Sequence, residues 1–136
     1  MLTPVIVATG LSTGLSFIGL GGGLYEINVV DPVWPKRPTI IQPKQGGISR
    51  RRFWVPAHAA FETSLVISLT AAWSAAPQVR NTLLVGLASH LAMRLWSFAH
   101  FIPQAMAFEE TDAAVIEKGD KARRWTRQSR WRLLLD

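Results

Sequence analysis

The chain has no cysteine among its 136 residues. This excludes disulfides, cysteine-ligated zinc, iron–sulfur clusters and thiol catalysis. Charge is scarce as well. Asp, Glu, Lys and Arg make up 18% of the sequence, where a soluble domain has about 25%. Carboxylates are the scarcer sign, 9 against 15 Lys and Arg. Apolar residues fill the gap at 49%, too many for low-complexity disorder. The length suits one domain, residues 1–136.

The few charges are segregated, and their placement sets the fold class. Residues 2–25 carry no charged side chain. Residues 53–79 hold only Glu62 and His58, and residues 81–108 only Arg94, His90 and His100. Each stretch supplies the roughly 20 mainly apolar residues that cross a bilayer. The expectation is an all-α integral membrane helical bundle. Its three spans run at about 3–26, 53–77 and 81–104, with a loop at 27–52 and a basic tail at 105–136.

The connections are charged in one sense. Lys36, Arg37, Lys44, Arg50, Arg51 and Arg52 crowd the first loop, with Asp31 as its only acid. Lys118, Lys121, Arg123, Arg124, Arg127, Arg130 and Arg132 crowd the tail. Lys and Arg beside membrane segments stay cytoplasmic. The reading is a plasma (inner) membrane protein, N-terminus outside, with the 31–52 loop and the tail inside. These basic clusters are topology signals that also attract anionic lipid, so no nucleic-acid role follows.

The first stretch lacks the basic start of a signal peptide and is long for one. Gly10 and Gly14 stand in GxxxG spacing, followed by Gly19 and Gly21–Gly23. Small residues let helices approach in lipid, so this span is predicted to pack against others. The Gly21–Gly23 run either loosens the helix end or receives a neighbour on its backbone. The loop that follows is proline-rich from Asp31 to Pro38, and Trp34 and Trp54 bracket it. It reads as an interfacial cover or as a lid over a site.

Pro103 marks the inner end of the third span, and residues 104–118 are expected to continue as an amphipathic helix. Gly119 breaks it and Asp120 can cap a second, basic helix with Trp125 and Trp131. That helix is either cytoplasmic and interfacial or the start of a truncated fourth span.

Ionisable groups inside a membrane are functional suspects. At about 1.5 Å per residue, His58 lies roughly 6 Å in from the cytoplasmic surface and Glu62 roughly 12 Å. On the antiparallel third span, His100 lies roughly 6 Å in, Arg94 roughly 15 Å and His90 roughly 21 Å. Glu62 and Arg94 thus share one layer, and His58, His100 and Glu26 share a shallower one. Glu62 and Arg94 are either an ion pair that sets helix register or an anchor for an anionic substrate, with Glu62 as acid or base. His58, His100 and Glu62 have ligand types suited to a metal. No repeated Glu-x-x-His motif supports one, and a cofactor-free site of Glu, His and Tyr25 is the reading adopted.

Several of these features together resemble a group of small, four-helix membrane proteins, the anthrone oxygenase-like proteins. They are the glycine-rich span running into Gly23–Leu24–Tyr25–Glu26, the loop Val30–Asp31–Pro32–Val33–Trp34–Pro35, the polar second span, and the stretch from Arg123–Arg124–Trp125 to Arg130–Trp131–Arg132. The resemblance implies a fourth span after the Arg/Trp stretch, and oxygenation of an activated aromatic without an obvious cofactor.

The expected function is an oxygenase- or isomerase-type membrane enzyme acting on an aromatic, quinone-like or terpenoid substrate. His58, His100 and Glu62 move protons and Arg94 holds an oxyanion. Tyr25, Glu26, His90, Trp96 and Trp34 line the pocket. The alternatives are a non-catalytic subunit or scaffold that packs against partner helices or a second copy, and a small transporter.

Overall fold

The computed structural model describes residues 2–135. Its regular structure is all helical. Helix α1 (Leu2–Tyr25) is apolar all round and runs through its glycines without a break. It widens into a π turn at Glu26–Val30 and stops there. Three prolines in the next eight residues remove amide donors and end it.

The loop is not slack. Three 3₁₀ turns, Trp34–Lys36, Pro38–Ile41 and Pro43–Gln45, follow one another, each with a proline in its first two positions. Gly47 sits where a Cβ would collide with the backbone of Thr39, Ile40 and Gln42. Helix α2 (Arg51–Ala75) returns alongside α1. The single residue Ala76, at φ −149° and ψ 80°, reverses the chain into α3 (Pro77–Trp96). A second π turn, Ser97–Phe101, leads into α4 (Ile102–Glu110).

Among the described residues, two helical stretches are long and apolar enough to cross a membrane, Thr3–Val30 with 28 residues and Pro77–Glu110 with 34. The expected second span forms a helix of 25 residues but falls short of that apolarity. Arg51, Arg52, Glu62 and a row of serines and threonines dilute it. Ser12 on α1 donates to Ser64 Oγ at 3.0 Å and lies 2.8 Å from Ser68 Oγ, so part of that polarity is consumed between helices. Outward, Ile6, Val7, Phe17, Val66, Val85 and Leu95 each expose more than half their surface.

Two expectations need correction. The α1–α2 contact does not run through Gly10 and Gly14, which face open space. Val5, Ala8 and Ser12 are the buried side of α1. Gly22 and Gly23 do receive neighbours: a Cβ there would meet Phe53 and Leu133. Residues 104–118 are not one helix. Thr111 is extended, and the Asp112 carboxylate accepts from Ala114 N at 2.8 Å to start α5 (Ala113–Lys118).

The tail is α6 (Lys121–Ser129) and a 3₁₀ turn, Arg130–Leu134. It folds back on the bundle, where Ser89 donates to Leu135 O at 2.7 Å. At nine residues α6 is too short to span a bilayer. Asp120 stands at its N-cap position without a side-chain cap bond. The hydrophobic core lies here, not between the long helices. Trp34, Ile41, Phe101, Phe108, Ile116 and Trp125 form it. Trp34 therefore belongs to the core, fully buried. The loop, α4, α5 and α6 around this core form a cap on the long helices, and Gln42 joins it by donating to Phe108 O at 3.0 Å and Thr111 O at 2.7 Å, the loose carbonyls at the end of α4.

Gly47→Ala is expected to lower stability by about 1–3 kcal/mol, the range for overpacking. Gly14→Ala, on an open helix face, is expected to leave it unchanged or raise it by about 0.5–1 kcal/mol. Thermal unfolding of the two variants in detergent checks both.

Candidate functional site

A cavity of about 490 Å³ lies where the polar ends of α1, α2 and α3 meet the cap. Glu26, His58, Glu62 and Arg94 border it. The rest of the rim comes from Asp31, Arg50, Trp54, Trp125 and Arg132.

Glu62 is the centre of the deep end. Arg94 Nε lies 2.9 Å from its Oε1, and His90 Nε2 lies 3.2 Å from the same oxygen. The shared layer of Glu62 and Arg94 is thus a direct ion pair across α2 and α3. His90 joins it although its estimated depth is greater. It precedes Arg94 by one helical turn, about 5.4 Å, and the Glu62 side chain reaches between the two. His90 is buried, while the Glu62 side chain keeps 43% of its surface.

His58, one turn before Glu62 on α2, completes the cluster. Trp54 stacks on its ring at 5.3 Å and 24°, and its ring lies 5.8 Å from that of His90. Phe61 meets His90 edge-on at 4.9 Å. Donor atoms of His58, Glu62 and His90 all lie within 4.8 Å of one another, so these three can hold a metal ion.

The expected layer of His58, His100 and Glu26 does not form. His100 lies instead 3.2 Å from Gln128 Oε1 and beside Gln104. Phe101, the next residue, takes the inward position, and one residue turns a helical side chain by about 100°. The metal set proposed from sequence therefore changes, with His90 in place of His100. Tyr25 is 59% exposed and does not border the cavity. Trp96 packs edge-on against Phe101 at 5.1 Å, away from the cavity lining.

The cap contributes residues that the sequence hides. Arg50 lies over the rings of Trp34 and Trp125, at 5.7 Å and 5.2 Å. Arg132 lies 4.4 Å over Phe101, with Nη1 donating to Ser97 Oγ at 3.2 Å and Nη2 to Ser129 Oγ at 2.6 Å. Arg51 closes the rim by pairing with the buried Glu109 at 2.5 Å. In the sequence these arginines look like any basic cluster, and only the fold-back of the tail separates them. The spacing of Trp125 from Arg132, two helical turns, is the one signal available.

Asp31 accepts from Trp34 Nε1 at 3.0 Å. Burial pushes its carboxyl up from 3.8 to about 6, against the Trp34 bond and with Glu26 adding to the rise, while Arg50 and Arg132 oppose it. Between those two values the folded chain keeps a proton that the unfolded chain releases. Stability thus rises as pH falls from about 6 toward 3.8 and is lowest above that window.

Comparison with protein-family models, curated proteins and solved structures finds no match.

Asp31→Asn keeps an acceptor for Trp34 and removes the buried charge. It is expected to raise stability at neutral pH by up to about 3 kcal/mol, from a rise of roughly two pH units. Melting curves at several pH values should lose the acid-side gain expected of the unaltered protein.

Proposed function

We propose that this chain is a multi-pass plasma (inner) membrane protein that admits a lipophilic molecule to the cavity and acts on it at His58, Glu62 and Arg94. One observation carries the reading. A space of about 490 Å³ has the charged cluster at one end and Ile27, Val55, Met93, Phe98, Ile102 and Met106 along its walls. Ligand sites are built in this way, mostly apolar with a few convergent polar groups.

Such a space suits an aromatic, quinone-like or terpenoid compound with one oxygen-bearing end. That end meets His58, Glu62 and Arg94. Proton transfer at or beside the oxygen is the chemistry these residue types provide, and a guanidinium favours the charge that develops. The likeness to anthrone oxygenase-like proteins supports an activated aromatic substrate and an oxygenase- or isomerase-type outcome.

The membrane setting is supported by side-chain orientation. The long helices turn apolar residues outward and keep Ser12, Ser64, Ser68, His90 and Arg94 between them. A protein in water does the reverse. With α2 as a third span between the two apolar stretches, the basic cap lies on the cytoplasmic side and the cavity opens there.

A second reading, a non-catalytic subunit, is favoured by one observation. Gly10 and Gly14 leave open space on the outer face of α1, where a partner helix or a second copy can approach.

Glu62→Gln and His58→Ala separate the two. On the enzyme reading both variants accumulate folded in the membrane, Glu62→Gln with some loss of stability from its broken ion pair and His58→Ala melting near the unaltered protein, yet neither binds or converts a polycyclic phenol. Loss of the protein itself in both variants supports the subunit reading. Topology has its own check, because the chain has no native cysteine. Single cysteines placed at residues 36–52 are expected to react with an impermeant maleimide only from the cytoplasmic side. Labelling from outside contradicts the orientation.

A further inference from the structure

We infer that His58, Glu62 and His90 hold a divalent transition-metal ion whose open coordination positions face the cavity. This rests on reading the cavity as a reaction chamber, and it names what sits at the chamber's deep end.

The donor set is assembled by the fold. His58 and Glu62 stand one turn apart on α2, and α3 brings His90 against them. Their donor atoms already lie within 4.8 Å of one another. An ion bonded to each at about 2.0–2.2 Å would draw these donors closer together. Two imidazoles and one carboxylate suit iron, manganese or zinc. Magnesium and calcium prefer oxygen ligands throughout, and copper(I) prefers sulfur, which this chain cannot offer from cysteine.

Three protein ligands leave positions for a further molecule. The direction of those positions follows from burial. His58 and Glu62 border the cavity, while His90 is 2% exposed and does not. The surroundings are those of an oriented site. Trp54 stacks on His58 and Phe61 meets His90 edge-on, which packs both rings in place. Arg94 Nε holds Glu62 Oε1 at 2.9 Å, as outer partners hold ligating carboxylates.

Charge then selects the ligand. A divalent ion and Arg94 together outweigh the one carboxylate, Glu62. In a low-dielectric site the excess positive charge favours an anion at the open positions. A lipophilic hydroxy or enol compound bound as its oxyanion meets this need, because coordination lowers the pKa of a bound hydroxyl.

The test uses the full-length protein in detergent, stripped with a chelator and titrated with Co²⁺. We expect about one equivalent bound, with ligand-field bands in the visible spectrum. His90→Ala and His58→Ala are expected to weaken binding by roughly ten- to a hundredfold. His100→Ala, outside the cluster, is expected to leave it unchanged. Glu62→Gln serves as a third ligand variant if a histidine variant does not fold. Unaltered protein that binds no Co²⁺, or equal loss in His100→Ala, overturns the site. If that metal-free protein still binds a polycyclic phenol and Glu62→Gln does not, the metal site falls and the chamber stands. Co²⁺ binding with no phenol binding leaves the metal site and removes the chamber.

Discussion

A single carboxylate governs the helical part of this molecule. Glu62 sits in the middle of α2, where α3 packs against it. Its side chain keeps 43% of its surface toward the cavity, and Arg94 and His90, one turn apart on α3, both reach its Oε1. The same contacts set the register of the α2–α3 hairpin, whose joint is the single residue Ala76. With that register fixed, His58 falls beside His90, and the space beside the cluster becomes the cavity.

The rest of the fold closes that space. Its hydrophobic core, around Trp34, Phe101 and Trp125, lies at one end of the helices. The loop, the second π turn, α4, α5 and α6 build it together. Arg50 and Arg132 lie over its aromatic rings and face the cavity from below. The molecule thus has two solvation patterns: apolar-out along the helices, apolar-in at the cap. Two helices long and apolar enough to cross a bilayer, with the cap packed at one end of them, account for both.

Much of this was legible from residue order. The uncharged runs mark the long helices to within a few residues, and counting depth from Trp54 and Gln104 pairs Glu62 with Arg94. What was not legible depends on rotation and on contacts distant in the chain. Depth alone cannot say that Phe101 rather than His100 points inward, nor that His90 reaches down to Glu62. The GxxxG spacing gives the distance between Gly10 and Gly14 but not the face they occupy. Trp34 reads as interfacial because its partners, Phe108 and Trp125, are more than seventy residues away. Arg50 and Arg132 are lost among topology charges until α6 folds back.

The central claim is that Glu62 and Arg94 form an energetic pair between α2 and α3. A double-mutant cycle with Glu62→Gln and Arg94→Gln, read as unfolding free energy in lipid bicelles, measures it most directly. The account predicts that the two losses are not additive, with a coupling of roughly 0.5–3 kcal/mol. Additive losses, with coupling indistinguishable from zero, contradict it.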